Sequence, residues 1–509
     1  MSHPPLATPR NSAVCRGLAR RGTLEDMTYT QRPPGGRPPQ TPPANRQRPA
    51  RRAETTRPPA GNAPAVLVVA LLGFFMISLD ATAVNVALPA MGRTFGATTA
   101  GLQWVVDGYT VPFAALLISA GAVSDRAGAK RVFGCGLAVF TAASAACGLA
   151  PWLVFLIGAR VVQGGAAAVM LPASLALVRQ AHTDPVSRAR AVAVWSAGAA
   201  SAIAAGPVVG GVLTSAADWR AIFFVNLPVG LAALVLLARA APASPRRSVP
   251  LDLTGQLAAI VTLAALAFGV ISGGASGFAR PLAAGALALA ALSGTAFVVA
   301  EARVAHPMVP LGMIRSRVVA ACLAIGFAIN AAFYGIAFVL SLYFQRVLGE
   351  PPVTAGLMFL PMTVLLTAAN LLSAKVAARH GHHVPVRAGL LVSALGMLAL
   401  AFSHGTAALA IALVPVGTGL GFALPSLTFV LLEAIPAAQA GLAGGLLNAS
   451  RQTGGALAVA LYGALLSGAF SGSFPGTFLA SMRVSMLISA ALLIASFATA
   501  LTVLRRAPG

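Results

Sequence analysis

Fourteen apolar runs, each long enough to cross a bilayer, constrain this chain more than any other feature. A hydrocarbon core about 30 Å thick is crossed by ~20 helical residues. Stretches of that order fall at about 64–88, 102–123, 132–149, 152–178, 189–215, 221–240, 254–273, 281–301, 318–344, 355–377, 385–403, 407–434, 440–468 and 480–504. Inside lipid every backbone N–H and C=O needs a partner within the protein, so such runs form helices. Only 9% of the 509 residues are charged, against roughly 25% in soluble domains. The expectation is an all-α membrane protein whose core is a helix bundle.

Arginine and lysine orient that bundle. The loops after helices 2, 4, 6, 8 and 10 hold fifteen basic residues, among them Arg126, Lys130, Arg131, Arg179, Arg188, Arg190, Arg239, Arg246 and Arg247. The opposite loops hold five: Arg93, Arg220, Arg280, Arg346 and Arg483. Cytoplasmic loops are the basic ones, so both termini are expected in the cytoplasm.

The net charge of +23 is not a nucleic-acid footprint, because the basic residues lie in those loops and in the N-terminal stretch. Residues 1–62 contain eleven arginines among Pro, Gln and Thr. They read as a disordered Pro/Arg-rich cytoplasmic tail without the apolar segment of a signal peptide, and Met27 is a plausible alternative start. Cys15, Cys135, Cys147 and Cys322 have no metal-ligand spacing. His306, His380, His382, His383 and His404 fall in loops or at helix ends and read as solvated. No phosphate-binding GxxxxGK[ST], HExxH or Ser/His/Asp constellation occurs, so no metal, cofactor or enzymatic activity is expected.

A constant offset of 253 residues relates the two halves of the chain. Gly164, Leu171 and Pro172 recur as Gly417, Leu424 and Pro425; Arg126 and Gly128 recur as Arg379 and Gly381. Gly136, Leu137 and Val139 recur as Gly389, Leu390 and Val392, and Gly210 as Gly463. The organisation read from this is a six-helix half at 63–240, two inserted helices with flanking loops at 241–316, and a second six-helix half at 317–509. Parallel repeats of this kind place a substrate site at their interface near mid-membrane.

Several motifs stand within that frame. The segment GAVSDRAGAKR (121–131) reads as a short charged loop between two spans, with Gly121, Asp125, Arg126, Gly128, Lys130 and Arg131 at the spacing GxxxDRxGxKR. Helix 5 carries Gly206, Pro207, Gly210 and Gly211 in AAGPVVGG, where small residues let another helix, expected from the second half, approach closely. Helix 1 reads SLDATAVNVALP, helix 4 GARVVQGGAAA, the start of helix 6 DWRAIFFVNLPVG and helix 13 NASRQTGG. From about residue 64 to 505 these resemble the fourteen-helix drug/proton antiporters of the major facilitator superfamily, which include multidrug and quaternary-ammonium exporters. The resemblance implies the major facilitator fold, two six-helix halves plus two inserted helices, and an inner-gate role for the 121–131 segment. It also implies secondary active transport in a bacterial cytoplasmic membrane: proton-coupled efflux of small amphipathic organic molecules, with the proton gradient as energy source. Uptake or facilitated diffusion of a metabolite, or a non-transporting membrane sensor, are the alternatives.

Charged side chains within the spans are costly, about 2.5–3.5 kcal/mol each on insertion scales, and mark function by default. Four stand out as proton-coupling or central-cavity residues: Asp80, Asp107, Arg160 and Arg451. Asp107 also reads as a plain helix-start residue in interfacial water, Arg160 as a structural partner of Asp80, and Arg451 as a group bonding backbone carbonyls. Phe74, Tyr109, Phe113, Phe333 and Tyr334 are candidates for an adaptable apolar surface. The small number of acids argues against a preference for multivalent cations.

Overall fold

The computed structural model describes residues 62–241, 244–246, 252–304, 307–403, 405–436, 439–470 and 475–504. The tail at 1–61 with Cys15 and Met27, and Arg247, His306 and His404, lie outside them. All regular structure among the described residues is helical. The long helices are α1 (Ala63–Phe95), α2 (Thr99–Ala127), α3 (Ala129–Gly148), α4 (Leu153–Ala181), α5 (Pro185–Ala216), α6 (Ala221–Ala240), α7 (Leu253–Ser276) and α8 (Pro281–Arg303). After a single turn at Leu311–Ile314 come α9 (Arg317–Val347), α10 (Pro352–His380), α11 (His383–Phe402), α12 (Thr406–Glu433), α13 (Ala440–Phe470) and α14 (Pro475–Val503). Thirteen of these have the length and hydropathy to cross a membrane, and α13 runs through the bundle for 31 residues. They match the fourteen apolar runs one for one.

Side chains close several helix starts. Thr98 accepts from Gly101 N at 3.3 Å, Asp184 from Ser187 N at 2.7 Å and Asp252 from Gly255 N at 2.8 Å, each satisfying a backbone donor that the first turn leaves free. The 121–131 segment differs from the loop expected. Gly121, Asp125 and Arg126 belong to the last turns of α2, and Lys130 and Arg131 to the first turn of α3. Charged residues do not break a helix. Gly128 does, with φ +90°, in the region that favours glycine.

The 253-residue offset is visible in backbone crossings. A Cβ on Gly164 would strike Tyr109 O, and one on Gly417 would strike Met362 O; both pairs of residues differ by 253. Gly128 and Gly381, also 253 apart, both take positive φ, +90° and +83°. In each half the first helix packs on the fifth and the second on the fourth. Across the halves α5 meets α10 and α2 meets α13. The inserted α7 lies beside α2 and α13 at this seam: Gln256 Nε2 donates to Ala115 O at 2.9 Å, and Gly274 packs on Ala464.

The halves meet at the end of the bundle away from the basic loops. There Gln103 Nε2 donates to Val459 O at 3.2 Å and Ala460 O at 2.7 Å. Ser341 Oγ donates to Asn85 O at 2.6 Å, Gln345 Nε2 to Val86 O at 2.7 Å, and Val353 N to Ser215 Oγ at 3.0 Å. At the basic end the same seam is open. Eighteen residues make five turns of α-helix, so Gly121 repeats the face of Gln103, and Gly445 repeats the face of Gly463. Gln103 touches Gly463, yet Gly121, Gly441, Gly444 and Gly445 all face open space. A cleft therefore runs inward from the basic end between α2 and α13.

Candidate functional site

α1 is apolar all round because other helices surround it: every residue from Met76 to Pro89 is buried. Asp80 sits in that stretch, 1% exposed, and forms an ion pair with Arg160 of α4. Arg160, also 1% exposed, donates Nε to Val105 O of α2 at 3.1 Å and Nη1 to Gln163 Oε1 at 2.9 Å. Its guanidinium lies 4.3 Å from the centroid of the Tyr109 ring, a cation–π contact. Asp80 Oδ1 accepts from Gln163 Nε2 at 3.0 Å and from Asn226 Nδ2 at 3.4 Å. Asn226 continues to Ser144 Oγ at 3.1 Å, and Ser144 to Phe223 O at 2.9 Å. Both carboxylate oxygens are thus held by side chains from α4 and α6, inside the first half.

Sequence reasoning placed Asp80 and Arg160 together but not their neighbours. Gln163 and Asn226 stand in the helix 4 and helix 6 motifs, and Ser144 carries no motif at all. The available signal was polarity within apolar helices, which does not reveal a shared partner.

Asp107 is not in this network. It is 0% exposed and lies on the α2 face that turns to α13, one turn along from Gln103. That corrects the reading of a helix-start residue in interfacial water: α2 begins eight residues earlier, at Thr99. Oδ1 accepts from Thr110 Oγ1 at 3.1 Å, while Oδ2 is buried with no partner.

Arg451 lies in the second half. Its Nε donates to Asn330 Oδ1 of α9 at 3.1 Å, and its Nη1 to Asn448 Oδ1 at 3.2 Å. The partners are amide side chains rather than the backbone carbonyls expected. Unlike Asp80, Asp107 and Arg160, it remains partly exposed. Phe74 is partly exposed and stacks on Trp195 at 4.3 Å between centroids, whereas Tyr109, Phe113, Phe333 and Tyr334 are buried.

In the charged segment, Lys130 Nζ donates to Ala238 O at 3.5 Å and to Ala241 O, a cation at the carboxyl end of α6. Lys130 N donates to Ser244 Oγ at 3.0 Å, and Gly128 leaves room for Ser244 O, 3.1 Å from where a Cβ would stand. Asp125, Arg126 and Arg131 are exposed. His382 is not simply solvated, for its ring stacks on Phe429 at 3.7 Å.

The helix-5 motif divides between two neighbours. A Cβ on Gly206 or Gly210 would strike Thr82 or Ala83 of α1, in the same half. Gly211 instead packs on Pro352 of α10, and Gly356 of α10 on Pro207 O. The expected contact with the second half is made by Gly211 and Pro207, and not by Gly206 and Gly210.

The Major Facilitator Superfamily model matches residues 70–459. The chain belongs to the major facilitator superfamily. It is 36% identical over 419 residues to the methylenomycin A resistance protein of Streptomyces coelicolor, covering 81% of this chain and 88% of that one. It is 37% identical over 401 residues to the multidrug resistance protein Stp of Mycobacterium tuberculosis, covering 78% and 75%. The tetracenomycin C resistance and export protein of Streptomyces glaucescens is 34% identical over 405 residues, covering 79% and 75%. Among solved structures, the xylose transporter XylE of E. coli superposes with a TM-score of 0.60 at 14% identity, covering 87% of this chain and 100% of that one. The chain is a multi-pass membrane protein and a secondary transporter of this superfamily, with a small-molecule substrate.

Proposed function

We propose that this transporter exports small organic molecules across the bacterial cytoplasmic membrane in exchange for protons, with both termini inside. The resistance and export proteins it resembles support the direction, and the basic loops support the orientation. The observation that carries proton coupling is Asp80, a carboxylate buried beside a single guanidinium. A proton on Asp80 removes the counter-charge of Arg160 and weakens the bonds between α1 and α4. Five and six residues along α1, Asn85 O and Val86 O receive the Ser341 and Gln345 bonds that join the halves. A shift of α1 therefore reaches the seal at the opposite end. Asp107, with one oxygen lacking a donor, is a second place where a proton can be held.

With the basic end cytoplasmic, the open cleft faces inward and accepts substrate from the cell. The test is accumulation of fluorescent amphiphiles such as ethidium and pyrenebutyrate in everted vesicles made acid inside. Accumulation that collapses when the pH gradient is dissipated is the expected result. Accumulation indifferent to the gradient would remove proton coupling, and none for any amphiphile tried would remove the export reading.

Closure of the cleft has a definite contact. In an antiparallel pair where Gln103 meets Gly463, Gly121 stands opposite Gly445 and Asp125 opposite Gly441, at the amino end of α13. A carboxylate there is favoured by ~0.3–1 kcal/mol. Asp125→Asn is expected to raise labelling of Gly444→Cys by an impermeant maleimide from the cytoplasmic side, by about two- to fivefold for that energy. Unchanged labelling would mean that Asp125 does not hold the inner gate.

A further inference from the structure

Deeper than Asp125 at its mouth, the cleft is left with a charge of one sign. Of the four charged side chains at mid-helix on α1, α2, α4 and α13, both acids are shut away. Asp80 is 1% exposed with its oxygens taken by Arg160, Gln163 and Asn226, and Asp107 is 0% exposed at the packed part of the α2–α13 seam. Arg160 is closed off with Asp80. Arg451 alone of the four is partly exposed. It forms no ion pair among the described residues; its two bonds go to the neutral amides of Asn330 and Asn448, and Nη2 takes no acceptor there.

Arg451 itself packs on α9, its Cγ 3.2 Å from where a Cβ on Gly326 would stand, and its second bond turns it away from that helix. On α13, Gly445 faces toward α2 and Gly455 packs on Tyr334 of α9. At 100° per residue, Asn448 falls on the arc between these two directions. The Asn448 bond therefore draws the guanidinium toward the side where the halves part. Gln452 and Thr453, one turn on, are partly exposed as well. The mouth of the same cleft carries the basic loops, which draw anions toward a cavity of matching sign.

We infer that Arg451 selects amphiphiles carrying an anionic oxygen, such as a carboxylate or phenolate, and binds that oxygen through its free donor. The inference rests on the export reading, because it names the substrate class of the same cleft. A guanidinium offers planar, charge-assisted hydrogen bonds to such a group. Asn330 and Asn448 hold the guanidinium in place without neutralising it, as a carboxylate partner would.

Binding to purified protein in detergent separates this from transport. The probes share one apolar body: pyrenebutyrate, the neutral pyrenebutanol and pyrenemethylammonium. Pyrenebutyrate is expected to bind at least about tenfold more tightly than pyrenemethylammonium, the scale of one hydrogen bond to a charged group. Arg451→Gln should erase that preference and leave pyrenebutanol binding unchanged. Arg451→Lys, which keeps the charge without the fork, should retain part of it. If Arg451→Gln does not fold, Asn448→Asp serves instead, since a carboxylate beside an intact guanidinium should cancel the preference equally well. Equal or tighter binding of the cation by the unaltered protein, or an anion preference that survives Arg451→Gln or Asn448→Asp, would overturn the inference. Vesicles that fail to accumulate pyrenebutyrate while purified protein binds it selectively would count against export alone.

Discussion

Asp80→Asn is expected to reduce gradient-driven accumulation in everted vesicles at least about a hundredfold, to background. Asparagine keeps the shape of the side chain and an oxygen for Gln163 and Asn226, but it neither carries a proton nor balances Arg160. Leaving a buried guanidinium without its partner costs about 3–5 kcal/mol, so the amount of folded protein has to be measured beside the flux. Pairing Asp80→Asn with Arg160→Gln removes the stranded charge and should restore folding without restoring coupling. Exchange of labelled for unlabelled substrate with no gradient should survive in the double variant, because exchange needs the cleft and not the proton. Gradient-driven accumulation within twofold of normal in either variant would show that Asp80 is not the proton carrier.

The pair was legible because lipid makes an unpaired charge expensive. Two opposite charges in one six-helix half, at depths that agree, nearly require each other. The same logic failed for Asp107. Its depth along α2 was readable to within a turn, but its exposure depends on which helix covers it, and packing by α13 does that. Hydropathy registers that α13 is apolar, not where it lies. The helix count and the 253-residue repeat were readable for a related reason. Lipid forces one helix per apolar run, and glycines needed where backbones cross recur at the same register, as Gly164 on Tyr109 O and Gly417 on Met362 O show.

The charged segment at 121–131 shows a different limit. Its composition resembles a loop, yet only Gly128 departs from helical backbone, so the other five motif residues lie on the ends of two helices. Asp125 is thereby placed by the face of α2, so helical periodicity and not loop conformation sets the direction it faces. Arg451 was found by its charge, but its amide partners Asn330 and Asn448 come from packing of α9 on α13.

Gly211→Leu and Gly210→Leu are expected to fail in different ways, although the two residues are adjacent. Gly210 repeats the face of Gly206, four residues earlier, and both lie against α1, where a side chain would meet the backbone of Ala83. Overpacking of this kind typically costs about 1–3 kcal/mol, and a backbone atom has little freedom to move aside. Gly210→Leu should therefore lower the yield of folded protein, while whatever folds stays tight to protons. Gly211 is turned 100° further round the helix and meets Pro352, with Val353 Cα 3.1 Å from its Cβ position. The neighbouring bond from Val353 N to Ser215 Oγ, 3.0 Å long, also joins α5 to α10. A leucine at 211 should part the halves at the end away from the basic loops and break the seal without unfolding either half. Passive proton entry into proteoliposomes is then expected to rise about tenfold or more for Gly211→Leu and to stay normal for the folded fraction of Gly210→Leu. Tight, normally coupled transport by Gly211→Leu would show that α5 and α10 do not form the seal. A leak in both variants would show that contacts of α5 within its own half matter to the seal as much as those across it.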